Sequence, residues 1–214
     1  MQTKDFIHEY VPATDPNAPT LLLLHGTGGD ETSLLSLGSQ LAPGAGLLSP
    51  RGKVLEGGAP RFFRRLAEGV FDMEDLIFRT NELADWIEVA SAEYGIAPDS
   101  LIALGYSNGA NIAASILLLR PTVLRRAILL RAMVPLQPEQ APDLTGTHIL
   151  IETGMMDPLI PPPEAERLSK MFQQYGAQVT FQRHPASHGL VSADLAVAHD
   201  WLQKETIINK PSNS

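Results

Sequence analysis

A serine, an aspartate and a histidine stand in this chain in settings that suit acyl transfer. They are Ser107 in Gly105-Tyr106-Ser107-Asn108-Gly109, Asp157 in Thr153-Gly154-Met155-Met156-Asp157-Pro158, and His188 in Ala186-Ser187-His188-Gly189. A serine hydroxyl is a weak nucleophile at neutral pH, so it needs a base, and that base needs an acid to fix its tautomer. The G-x-S-x-G pattern is modest evidence alone, because glycine and serine are common residues. Its surroundings sharpen it: the apolar run Leu101-Ile102-Ala103-Leu104 leads in, and a helical run from Ala110 to Leu119 leads out and stops before Pro121. A serine on such a strand-turn-helix corner is held in a strained backbone conformation at the positive end of a helix dipole. The flanking glycines are required where any Cβ would collide.

The other histidines read as structural. His199 falls inside a helix, His8 and His148 inside strands, and His184 directly precedes Pro185. His184 and His188 have a zinc-like spacing, but Pro185 prevents the helix that would join them and no glutamate completes the motif, so no metal is expected. The loop His25-Gly26-Thr27-Gly28-Gly29-Asp30 follows an apolar strand and can bring backbone N–H groups to a ligand. A dinucleotide fingerprint would need glycine where Glu31 stands. The stretch from Gly46 to Lys53 is one residue too long for a phosphate loop and is followed by Val54. No cofactor is expected, and His25 reads as a packed, hydrogen-bonded residue at a strand end.

Composition excludes several classes. The 214 residues carry 16 Lys plus Arg against 24 Asp plus Glu, a net charge of −8, which is the wrong field for a nucleic-acid binder. With no cysteine there is no disulfide framework, thiolate metal site or cysteine nucleophile, and a cytoplasmic location is the default expectation. Residues Met1 to Tyr10 contain no apolar signal-type core, and no apolar run approaches the roughly 20 residues of a membrane span. One domain over 1–208 is expected, with a disordered tail at 209–214 and a homodimer as a possible assembly.

These residues must be positioned by alternating strands and helices. Strands are expected at Phe6 to Val11, Thr20 to Leu24, Gly46 to Ser49, Leu101 to Leu104, Ala127 to Leu130, His148 to Glu152 and Ala177 to Arg183. The last alternates in polarity and belongs near an edge. Helices are expected at Thr32 to Leu41, Met73 to Tyr94, Ala110 to Leu119, Glu164 to Tyr175 and Val191 to Lys204. The result is a mainly parallel sheet of about seven strands covered on both faces, with chemistry at the carboxyl ends of the strands. Pro50 to Asp72 shows no clear period, carries Arg51, Lys53, Arg61, Arg64 and Arg65, and reads as a long functional loop. Its cations suit either a solvated surface or an anionic substrate group.

The chain resembles the bacterial carboxylesterases of the α/β-hydrolase superfamily, a group that includes phospholipase-like and acyl-protein-thioesterase relatives. The resemblance runs from Thr20 to Gln203. It is carried by Leu24-His25-Gly26-Thr27-Gly28-Gly29, Leu48-Ser49-Pro50-Arg51-Gly52, Gly105-Tyr106-Ser107-Asn108-Gly109-Ala110-Asn111, Gly154-Met155-Met156-Asp157-Pro158-Leu159-Ile160-Pro161 and Ser187-His188-Gly189-Leu190. It implies an α/β-hydrolase fold and an oxyanion hole built from the backbone N–H groups of Thr27 and Asn108. Thioesterase and phospholipase-like relatives usually carry glutamine where Asn108 stands, so their substrates are not transferred.

The expected activity is hydrolysis of small-molecule carboxylic esters by Ser107, His188 and Asp157 through an acyl-enzyme. A thioesterase or lysophospholipase is the alternative, and a non-catalytic receptor on the same fold is a remote one. No large cap domain is expected, because only Arg131 to Thr147 lies where a lid is commonly inserted. The 50–72 loop is expected to wall the pocket, with Phe62, Phe63, Arg51, Met133 and Leu159 as candidate substrate-binding residues, which favours short to medium acyl chains.

Overall fold

The run Thr20–Leu24 (β2) explains how one strand serves two cores. Leu22 and Leu24 pack into one apolar cluster while Leu21 and Leu23 pack into another, as the two-residue side-chain period of a strand buried on both faces requires. The computed structural model describes residues 6–208. The tail expected at 209–214 lies outside the described residues.

Around β2 the sheet contains His8–Val11 (β1), Gly46–Pro50 (β3), Leu101–Tyr106 (β8), Arg126–Leu130 (β9), His148–Gly154 (β10) and Gln178–His184 (β11). Four short strands, Val54–Glu56 (β4), Ala59–Arg61 (β5), Arg65–Ala67 (β6) and Val70–Phe71 (β7), lie outside it in chain order after β3. The seven-stranded order is β1-β3-β2-β8-β9-β10-β11, antiparallel between β1 and β3 and parallel elsewhere. Parallel neighbours need crossovers, and Leu35–Leu41 (α1), Met73–Glu93 (α2), Asn108–Leu119 (α3), Pro162–Gln174 (α4) and Ser192–Ile208 (α5) provide the helices. Buried residues of α2, α3 and α4 fill one core and those of α1 and α5 the other. This is the α/β-hydrolase architecture, and the described residues contain no large cap domain.

Two expectations are corrected. The first helix starts at Leu35, not Thr32, because the Asp30 carboxylate accepts from Thr32 N and the hydroxyls of Thr32 and Ser33, holding these residues in a turn. The 50–72 stretch is not an irregular loop but two antiparallel hairpins, β4–β5 and β6–β7. Glu56 pairs with Ala59 across Gly57 and Gly58, whose φ angles of 58° and 89° suit a tight two-residue turn. Strands of two or three residues are too short to display a period, which is why the sequence pattern hid them.

Candidate active site

Ser107 is the last residue before α3, at φ 53° and ψ −114°, a conformation that costs energy for any residue with a Cβ. The turn can be this tight because its glycines allow it. A Cβ at Gly105 would come within 2.6 Å of Ala110 Cα, and one at Gly109 would overlap the Leu24 carbonyl. Ser107 N donates to Leu130 O at 2.9 Å, tying the corner to the neighbouring strand.

The structure brings together the three residues expected from sequence. The Ser107 hydroxyl lies 3.0 Å from His188 Nε2, and His188 Nδ1 lies 2.8 Å from Asp157 Oδ2. With a carboxylate at Nδ1, the ring carries its proton there and leaves Nε2 free to accept. Asp157 is buried, and its other oxygen accepts from Leu159 N at 2.8 Å and Ile160 N at 3.0 Å, so the carboxylate cannot swing away. Tyr106 Oη donates to the His188 carbonyl at 3.2 Å.

Beside Ser107, the backbone N–H groups of Thr27 and Asn108 meet no protein acceptor among the described residues. Gly28 N donates to Pro60 O at 2.9 Å, Arg61 Nη1 to Thr27 Oγ1 at 2.7 Å, and Phe62 N to Asn108 Oδ1 at 2.7 Å. The segment Pro60 to Phe62 therefore braces both loops that carry those N–H groups. Gly52 permits this approach, since a Cβ there would overlap the Arg61 carbonyl. His25 Nδ1 donates to Gly26 O at 2.7 Å and Nε2 accepts from Gly52 N at 2.9 Å, the packed strand-end role expected of it. Burial holds its pKa below the ordinary histidine value, which keeps that tautomer neutral. Asn108 Nδ2 is buried without a partner among the described residues.

Ser107 and His188 open into a cavity of about 260 Å³. Met133 and Leu159 line it as expected, together with Thr27, Arg61, Arg65 and Phe71. Phe62, Phe63 and Arg51 do not. Phe62 and Phe63, in the connection between the two hairpins, are buried in the core, Phe63 edge-on to Phe71. Arg51 is held in an ion pair with Glu31, which takes its guanidinium away from the cavity. Of the five cations of this stretch, Lys53 pairs with Glu82 and Arg64 with Asp72, leaving Arg61 and Arg65 on the cavity wall.

A second polar group lies behind His188. Arg131, fully buried at φ 57°, makes two 2.8 Å bonds to Asp194 and donates to the carbonyls of Ser187 at 3.2 Å and Gly189 at 3.0 Å. The His188 loop is thus clamped on both sides of the histidine. His184 Nε2 lies 2.6 Å from Glu152 Oε2 in the same group. Burial, and then the charge of Asp194, push the Glu152 pKa up to about 8, and its Oε1 has no partner among the described residues. Both observations fit a neutral carboxyl sharing its proton with His184. Glu152, His184 and Asp194 are close enough to ligate a cation, but the Arg131 guanidinium already takes both oxygens of Asp194. Sequence reasoning missed this group; a lone arginine and glutamate ending two otherwise apolar strands were its trace.

A strained serine between a parallel strand and a helix, with a histidine and a carboxylate brought to it from loops at the same sheet edge, defines an α/β-hydrolase site. The sequence profile of the phospholipase/carboxylesterase family matches residues 68–206. A protein of Bacillus subtilis (strain 168) named "Putative hydrolase MhqD" is 45% identical over 201 residues, 94% of this chain and 99% of that one. Among solved structures, the Bacillus cereus carboxylesterase is 42% identical with a TM-score of 0.91, over 94% of this chain and 95% of that one. A carboxylesterase from Mesorhizobium loti is 34% identical with a TM-score of 0.84, over 89% and 90%. The chain belongs to the phospholipase/carboxylesterase family and is an ester-hydrolysing enzyme.

Proposed function

We propose that the chain is a single-domain serine carboxylesterase that hydrolyses small esters of short to medium acyl chain. The observation that supports it most is the relay from Ser107 Oγ through His188 to Asp157 at the mouth of a 260 Å³ cavity. Ser107 Oγ attacks the ester carbonyl carbon as His188 Nε2 takes its proton, and Asp157 stabilises the resulting imidazolium. The N–H groups of Thr27 and Asn108 donate to the oxyanion. Collapse breaks the bond to the alkoxy oxygen, which leaves with the proton from His188. Water then repeats the cycle on the acyl-enzyme, releasing the acid and restoring Ser107.

At about 260 Å³ the cavity falls just below the range of ligand pockets, about 300 to 1,000 Å³ for drug-sized molecules, and this disfavours the lysophospholipase alternative. The test is a chain-length series of 4-nitrophenyl esters with wild type and Ser107→Ala. Acetate and butyrate esters are expected to exceed the palmitate ester in kcat/KM, with turnover abolished in the variant. A palmitate ester outpacing butyrate rejects the short-chain reading.

A further inference from the structure

Arg61 is only 3% exposed, yet it lines the cavity that Ser107 faces. Its hydrogen bonds use Nε, to Phe63 O at 3.2 Å, and Nη1, to Thr27 Oγ1 at 2.7 Å. Among the described residues no acceptor meets Nη2, which is not sealed in the interior. Glu56 Oε2 stands 3.5 Å from Arg61 Nε, but the hydrogen bonds of Glu56 go to Arg65, at 2.6 to 3.1 Å. Glu68, on the same wall, also closes onto Arg65. Two carboxylates thus hydrogen-bond to one arginine, while the other keeps a looser 3.5 Å ion pair with Glu56 and hydrogen-bonds only to neutral oxygens.

That arrangement is costly without a ligand. Burial disfavours the charged form of Arg61, and the neighbouring Arg65 adds to the penalty, while a guanidinium stays protonated regardless. A ligand carboxylate at Nη2 would return the lost solvation as a charge-assisted hydrogen bond. A single negative charge fits better than a phosphate dianion, because Glu56 and Glu68 lie within the electrostatic reach of the same wall.

We propose that Arg61 selects small esters that also carry a carboxylate, its Nη2 donating to that group while Ser107 Oγ engages the ester carbonyl. The proposal rests on the serine-esterase reading above and adds the substrate class. The carboxylate can belong to the acyl part or to the alcohol part, and the same contact would recognise either.

Two substrate pairs separate these sources in a pH-stat. Monomethyl succinate against dimethyl succinate places the charge on the acyl side; acetoxyacetate against 2-methoxyethyl acetate places it on the alcohol side. For one pair, the anionic-to-neutral ratio of kcat/KM is expected to fall roughly 10- to 100-fold in Arg61→Gln, the range for a lost hydrogen bond to a charged group. Arg61→Lys, which keeps the charge without the fork, is expected to retain part of the preference and supplies the reading should the glutamine variant not fold. Binding is followed separately by calorimetry of monomethyl succinate and acetoxyacetate on Ser107→Ala, where adding Arg61→Gln is expected to weaken one of them at least tenfold. Binding of that kind with no ester turnover by wild type would reject the esterase reading and uphold the carboxylate subsite. Ratios unchanged in both variants, with anionic and neutral esters slowed alike, would show that Arg61 only braces Thr27 and would overturn the proposal.

Discussion

His184 and His188 lie four residues apart at the carboxyl edge of the sheet, and each meets a carboxylate, Glu152 at 2.6 Å and Asp157 at 2.8 Å. Their surroundings differ in every other respect. His188 has its second nitrogen on a serine hydroxyl at the wall of a cavity, and its carboxylate is steadied by two backbone N–H groups. His184 is buried beside an arginine already bonded to Asp194, and its glutamic acid is held neutral by burial. A histidine–carboxylate contact therefore does not define chemistry; a serine hydroxyl within reach and an opening to substrate set the first pair apart. On the proposed mechanism the first pair moves a proton; the second lies against Asp194, which binds the arginine that clamps the loop carrying the first.

The comparison breaks most visibly at the histidines. His188→Gln is expected to lose about 10⁴-fold or more in kcat with the fold intact. His184→Gln is expected to lower the thermal midpoint while the folded protein keeps kcat within about tenfold. Equal losses of kcat in two folded variants would erase the distinction. The carboxylates sharpen it. Asp157→Asn removes the charge that fixes the tautomer and is expected to cost about 10⁴-fold in kcat. Glu152→Gln replaces a neutral acid by a neutral amide and should change kcat only severalfold at pH 7. Steady-state rates of both variants on 4-nitrophenyl acetate decide this.

Stability against pH reads the second pair directly. The folded pKa of Glu152 lies near 8, above its ordinary value of 4.5, so the folded state holds a proton that the unfolded chain releases. Its contribution is complete below pH 4.5 and is lost as pH rises through about 8, a few kcal/mol at most. Denaturant midpoints are expected to fall between pH 5 and pH 9 in wild type and to fall less in Glu152→Gln. Identical slopes would place the proton elsewhere.

The smallest effect concerns the two loops whose N–H groups are proposed to hold the oxyanion. Asn108→Ala keeps the backbone N–H but removes the acceptor of Phe62 N, so a loss of about 1–3 kcal/mol in stability is expected, with kcat reduced less than about tenfold. Thr27→Ala removes the acceptor of the buried Arg61 Nη1, so a comparable loss of stability is expected with the backbone N–H kept. Loss of kcat in Thr27→Ala as deep as in His188→Gln would move the oxyanion role from backbone to hydroxyl.

The sheet, the elbow and the three residues around it were legible because each carries a local pattern: a two-face apolar strand, a Gly-x-Ser-x-Gly corner, a histidine and an aspartate just past strand ends. Met133 and Leu159 also reached the cavity wall by their positions after strands. Phe62, Phe63 and Arg51 were misplaced because they lie in connections outside the short strands, where no side-chain period marks which way a residue faces. Their partners, the core, Phe71 and Glu31, stand elsewhere in the chain. Arg61, the last residue of β5, lines the cavity while the two residues that follow the strand are buried in the core. The cluster of Arg131, Glu152, His184 and Asp194 joins four separate segments, and only folding brings them into contact.

The central claim is that Ser107 is the single nucleophile of this enzyme, and covalent labelling tests it most directly. After treatment with a fluorophosphonate, peptide mass mapping of wild type is expected to show one adduct, on Ser107, with ester hydrolysis lost in proportion to labelling. Ser107→Ala is expected to take up no adduct and to hydrolyse no ester. An adduct on another residue that tracks the loss of activity, or hydrolysis surviving in Ser107→Ala, would contradict the account.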